Sequence, residues 1–137
     1  MDLIMTTYNI AGLREELNTY LMDRFEYKRS PATNNRCTIS ATRKRFNLYL
    51  RFGRTRHVWE EDTLVIASIY FLYARQGHGC DLLKFFVKIA DKYKIRKIGI
   101  ELTNEESSAF AENFGFKCFL RGYWIVSVKD LEIKLKK

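Results

Sequence analysis

Residues 64 to 72 read LVIASIYFL, a run in which only Ser68 and the Tyr70 hydroxyl bring polar side-chain atoms. A strand with both faces covered reads as such a near-continuous apolar run, whereas a half-exposed strand alternates. This places the segment at the centre of a sheet. It is also too short to cross a membrane, which takes about 18 or more apolar residues. The other elements must therefore be arranged around a buried middle strand, and a chain of 137 residues is long enough to do that as one domain over 1–137.

The flanking patterns supply those elements. Leu13, Leu17, Tyr20, Leu21 and Phe25 recur with helical spacing in NIAGLREELNTYLMDRF. The turn-forming YKRSPATNNR then reads as a loop. CTISAT and RFNLYLRFG read as two strands. In the second, Phe46, Leu48, Leu50 and Phe52 alternate with Asn47, Tyr49 and Arg51. After LVIASIYFL and a glycine-rich turn, CDLLKFFVKIADKY aligns Leu82, Phe86, Ile89 or Ala90, and Tyr93 on one helical face. KIGIEL is the next strand. TNEESSAFAENFG opens with the capping pattern Thr103 to Glu106 and closes at Gly115. FKCFL and YWIVSV, joined at Arg121-Gly122, form a hairpin. The fold class is mixed α/β.

Charge is concentrated. Residues 24 to 56 hold ten Lys or Arg against Glu26 alone, while the rest of the chain holds 14 basic and 15 acidic residues, so the net +8 arises in one block. Such a block attracts phosphates, nucleic acid or an acidic protein face. Within it, Arg43, Lys44, Arg45, Arg51, Arg54 and Arg56, interleaved with Phe46, Tyr49 and Phe52, suggest a nucleic-acid surface; equally, the phenylalanines fit the core register. Cys37, Cys80 and Cys118 are odd in number and show no C-x-x-C spacing, which argues against a disulfide framework or a metal site and for a cytoplasmic setting. The first residues, MDLIMTTYNIAG, lack the basic start and apolar stretch of a signal peptide.

The stretch YARQGHGCDLL leads from the apolar strand into a helix. Unpaired N–H groups at a helix start, together with the helix dipole, favour an anion, and glycine permits close approach or unusual backbone angles. The Lys-Ser/Thr ending of a P-loop and the third glycine of a dinucleotide fingerprint are both missing. SIYFLYARQGHGCDLL instead resembles the acyl-CoA-binding segment of the GNAT superfamily of N-acetyltransferases, a strand followed by Q/R-x-x-G-x-G/A, with Gly77 and Gly79 on the small-residue positions. Downstream, Asn104 stands eleven residues before Gly115-Phe116, similar to the family's N-x10-G-F arrangement.

The resemblance implies a single domain with a mixed, mostly antiparallel sheet flanked by helices, and acetyl-CoA as cosubstrate without a metal. It implies that pantetheine amides pair with main-chain groups near Ala67, Ile69 and Phe71. The diphosphate would rest on Arg75, Gln76, Gly77, His78, Gly79 and Cys80, with Asn104 reaching the cofactor from the other side. Two family positions depart: the leading Gln or Arg falls on Ala74, and the tyrosine that often protonates the thiolate falls on Ala111. Glu101 as base and Tyr123 as acid are the replacements considered. Glu101 read blandly pairs with Lys97 or faces solvent, and Glu60 and Glu61 read as a solvated turn. Cys118, Trp59 and Trp124 read as packing residues and His57 as surface. The acceptor is an amine on a small molecule, a protein or an aminoacyl-tRNA. The alternative is a non-enzymatic basic module that binds nucleic acid or an acidic partner through residues 24–56.

Overall fold

The computed structural model describes residues 9–52, 59–72, 76–101 and 104–136. In chain order these hold α1 (Ile10–Phe25), β1 (Ala32–Asn34), β2 (Thr38–Arg43), β3 (Phe46–Phe52), β4 (Thr63–Phe71), α2 (His78–Ala90), β5 (Lys97–Glu101), α3 (Glu105–Asn113), β6 (Lys117–Leu120), β7 (Tyr123–Ser127) and α4 (Val128–Leu135). The expectations placed on Arg54, Arg56, His57, Ala74, Arg75 and Thr103 lie outside the described residues.

The strands form one seven-stranded sheet in the order β1-β2-β3-β4-β5-β7-β6. Only β4 and β5 run parallel; every other neighbouring pair is antiparallel. The period of two in β3 sends Phe46, Leu48, Leu50 and Phe52 to one face, where they are buried. Register carries that face across the sheet: Ile39 lies opposite Leu50, Leu50 opposite Ile66, Ile66 beside Ile100 and Ile98 opposite Val126. Leu13, Leu17, Leu21 and Phe25 of α1, Leu82, Leu83, Phe86 and Ile89 of α2, and Leu131 of α4 close over it. The helical spacings read from the sequence are those that pack.

Three readings are corrected. LVIASIYFL is covered on both faces only from Leu64 to Ile66; Ser68 and Tyr70 are exposed, because β5 no longer runs beside them. The loop after α1 contains a strand, β1, which pairs with β2 and is fixed by the buried side chain of Asn18. Asn18 Oδ1 accepts from the Ala32 N–H at 2.7 Å and its Nδ2 donates to the Ala32 carbonyl at 3.2 Å. A helical side chain thus takes the place of a neighbouring strand at Ala32. Finally, the last strand stops at Ser127, whose hydroxyl accepts from the Asp130 N–H at 3.0 Å and caps α4.

Asn18→Ala removes both bonds to Ala32 and leaves its main chain buried without partners. It is expected to lower unfolding free energy by about 2–3 kcal/mol in urea titrations, with early loss of β1 amide protection.

Candidate functional site

The strand order fixes where a ligand can reach main chain. β4 pairs with β5 from Thr63↔Lys97 to Ile66↔Ile100, and there the pairing ends. β4 itself continues to Phe71, and among the described residues it is paired there with β3 alone. At the parting, Tyr49 lies opposite Ser68 and Leu50 opposite Ile66, so Ala67 is the extra residue of a bulge. A bulge bends its strand and sharpens its twist. Beyond it the Leu72 N–H donates to the Arg45 carbonyl, toward β3. By alternation Ile69 and Phe71 turn their main-chain N–H and C=O groups to the opposite, open edge. Their side chains meanwhile pack on the core.

The loop then delivers α2. Gly77 is its N-cap at φ +78°, and nothing lies within 4 Å of where a Cβ would stand. Backbone angle, not space, calls for glycine here. Gly79 has the other reason: a Cβ would lie 2.6 Å from the Phe110 ring of α3. The helix begins at His78, two residues before the expected start, so Gly79 and Cys80 belong to its first turn. Its first backbone hydrogen bond joins the Asp81 N–H to the Gly77 carbonyl at 3.0 Å. The N–H groups of His78, Gly79 and Cys80 precede that bond and face the loop, beside exposed Gln76.

A side-chain network holds this helix start to α1. Arg24 Nη1 meets Asp81 Oδ2 at 3.0 Å, Arg24 Nε donates to His78 Nδ1 at 3.0 Å, and the Tyr20 hydroxyl donates to Asp81 at 2.6 Å. The His78 ring lies between Phe25 and Phe71, with centroids 4.8 and 5.3 Å away. Burial, then the Arg24 charge, holds His78 below its ordinary value of 6.5. Its Nδ1 is therefore engaged by α1 and its ring packs on Phe25 and Phe71, while no hydrogen bond to Nε2 forms among the described residues.

On the far side of the parting, Asn104 caps α3. Its Oδ1 accepts from the Ser107 N–H at 2.9 Å, and Ser107 Oγ accepts from the Asn104 N–H at 3.0 Å. The capping box is thus formed by Asn104 with Ser107, and among the described residues no hydrogen bond engages Asn104 Nδ2. Gly115 (φ +84°) and the Phe116 N–H bond to the Ala111 carbonyl end the helix, which buries Ala111 completely.

Glu101 and Tyr123 are brought together as register partners on β5 and β7, on the face away from the main core. Glu101 is buried, and it pairs with neither solvent nor Lys97: Trp59 Nε1 donates to its Oε1 at 2.8 Å and Arg51 Nε to its Oε2 at 3.1 Å. Lys97 turns to Glu60 and Asp62 instead. Trp59 lies against Gly99, where a Cβ would collide with its ring, and contacts Tyr123 and Phe119. Sequence reasoning read Arg51 as part of a nucleic-acid surface and missed both its pairing with Glu101 and the role of Ser107, since neither partner is recognisable from spacing alone.

Four arginines of the basic block make internal contacts. Besides Arg24 and Arg51, Arg43 donates to the Thr42 and Ser30 carbonyls and Arg45 to the Phe25 carbonyl. Phe46 and Phe52 are core residues, and Arg51 covers Tyr49 at 5.3 Å. Among the described residues no group of three metal-ligating side chains forms, and no helix is long and apolar enough to cross a membrane.

No protein-family model matches the chain, and no curated protein matches its sequence. Solved structures do match. A KacTA–DNA complex superposes with TM-score 0.53 at 15% identity, covering 95% of this chain and 92% of that one. An acetyltransferase of the GNAT family from Staphylococcus aureus Mu50 gives 0.50 at 14% identity over 88% and 96%. The AtaT Y144F toxin, bound to the C-terminus of the antitoxin AtaR and to acetyl-CoA, gives 0.51 at 11% identity over 73% and 71%.

Because the fold favours neutral His78, its contribution to stability is complete above pH 6.5 and is lost as pH falls through 6.5 toward the depressed folded value. Urea midpoints measured from pH 7.5 to 5.5 are expected to fall for the wild type, and to fall less for His78→Gln.

Proposed function

We propose that this chain, whose fold is that of the GNAT acetyltransferases, moves an acetyl group from acetyl-CoA to an amine. The observation that carries this reading is the open main-chain edge of Ile69 and Phe71 running directly into a glycine loop and a helix start. A pantetheine arm is a short chain of amides, and an open strand edge pairs with amides as a missing strand would. A diphosphate needs several N–H donors converging at a helix start, which Gly77, His78, Gly79 and Cys80 supply, with Gln76 beside them. Acetyl-CoA bound to a structure of the same fold supports the cofactor assignment.

In this reading Ala67, Ile69 and Phe71 hold the pantetheine arm, and Asn104, at the start of α3, adds its amide nitrogen from the other side. The acetyl carbonyl then lies at the parting of β4 and β5, where Glu101 ends β5 and Tyr123 faces it. Attack of a neutral amine on the thioester carbonyl forms the C–N bond, the C–S bond breaks, and the thiolate takes a proton. Holding the two reactants in place supplies much of the rate, about 7–11 kcal/mol in favourable cases. Ala111 has no proton to give, so we assign the acid to Tyr123 and the base, through water, to Glu101. Arg51 and Trp59 hold the Glu101 carboxylate in place, one on each oxygen.

Calorimetry with acetyl-CoA tests the reading. The wild type is expected to bind with a Kd on the order of 1 µM–1 mM. Gly77→Asp meets no steric block but must hold φ +78°, a strain of about 1–2 kcal/mol that the fold absorbs; it sets a carboxylate against the diphosphate and is expected to weaken binding by at least about tenfold, with Gly77→Asn as the uncharged control for the strain. No heat at millimolar ligand, or unchanged affinity in Gly77→Asp, contradicts it.

A further inference from the structure

A recess of about 280 Å³ opens beside the loop, lined by Arg24, Phe25, Arg45, Leu72 and His78. It lies on the β3 side of β4, where the Leu72 N–H meets the Arg45 carbonyl, and thus away from the open edge that faces β5. Leu72 and His78 are the two shoulders of the glycine loop, so the recess and the helix start share a wall.

Its chemistry suits an anion carried on an organic skeleton. Asp81 neutralises Arg24, but no carboxylate pairs with Arg45 among the described residues. Arg45 Nη1 donates to the Phe25 carbonyl at 3.0 Å, which ties the exposed guanidinium to the rim; among the described residues its other nitrogens make no hydrogen bond. Because His78 Nδ1 accepts from Arg24, the imidazole proton sits on Nε2, a further donor. Phe25 and Leu72 form apolar walls that thin the water around these groups, where charge-assisted bonds gain strength. Among the described residues the result is a guanidinium without a carboxylate partner, an imidazole N–H and two apolar sides next to a helix N-terminus.

We propose that this recess holds the ribose 3′-phosphate of coenzyme A, a phosphate monoester. The proposal rests on the function proposed above. A ligand whose diphosphate lies on the first turn of α2 carries its 3′-phosphate on the ribose attached to that diphosphate, so the second anion falls within one sugar of the first. At neutral pH a phosphate monoester carries about −1.5 to −2 charges, more than the adjacent diphosphate leaves for the helix start to satisfy. Arg45, far in sequence from the glycine motif, thereby becomes a specificity residue that distinguishes coenzyme A from its dephosphorylated form.

The test is calorimetry of the full chain with coenzyme A and with 3′-dephospho-coenzyme A. The wild type is expected to bind coenzyme A about tenfold or more tightly than the dephospho form. Arg45→Gln is expected to reduce coenzyme A to the dephospho affinity while leaving dephospho-coenzyme A unchanged; Arg45→Lys keeps part of the preference. Lys44→Gln, one residue away and outside the recess, is expected to preserve it. Equal wild-type affinities, or a loss in Arg45→Gln shared by both ligands, overturn the recess as the phosphate site yet leave the cofactor reading standing. Failure of both ligands to bind removes both.

Discussion

Everything in this molecule depends on one strand keeping one partner after losing the other. β4 is paired on both edges as far as Ile66 and on one edge from there to Phe71. Main-chain donors and acceptors rarely go unpaired away from water, so a strand in this position either frays or offers its edge to something else. It does not fray because the core holds it: Ile69 lies opposite Leu48 and Phe71 opposite Phe46, and the Phe25 and His78 rings pack on Phe71. On the other face, Arg51 of β3 reaches Glu101 of β5 across the strand between them, and Trp59 closes the same carboxylate. That clamp sits where the two parallel strands separate, so it fixes the point of parting.

The glycine loop is positioned by what grips its exit. Arg24 and Tyr20 tie Asp81 and His78 to α1, and the Phe110 ring of α3 packs against Gly79. The first turn of α2 is therefore held from two neighbouring helices while its N–H groups stay uncovered. Rigidity of the donors and openness of the edge come from different residues, and a ligand that uses both pays little for ordering the protein. The tyrosine position of the family resemblance shows the same logic in reverse. Ala111 is buried under the α3 terminus, in a place where packing rather than chemistry is satisfied.

Much of the fold could be read from local pattern. Helical spacing in α1 and α2 and alternation in β3 each named the residues that form the core, because periodicity reports burial directly. What escaped was non-local. β1 exists through Asn18, a side chain fourteen positions earlier, and α4 hides behind a strand pattern that runs into its cap. Glu101 found its cation fifty residues away in Arg51 rather than nearby in Lys97. The exposure of Ser68 and Tyr70 follows from where β5 stops, which no property of β4 encodes. In the site, the two glycines were legible as a motif, but their separate reasons, a positive φ and an aromatic ring, required the fold.

The most direct measurement is residue-resolved amide hydrogen exchange with and without acetyl-CoA. The account predicts that Ile69 and Phe71 exchange quickly in the free protein and become protected on binding, together with Gly79 and Cys80, while Tyr70 and Leu72, already bonded toward β3, change little. Protection that appears elsewhere, or that spares Ile69 and Phe71, would contradict it.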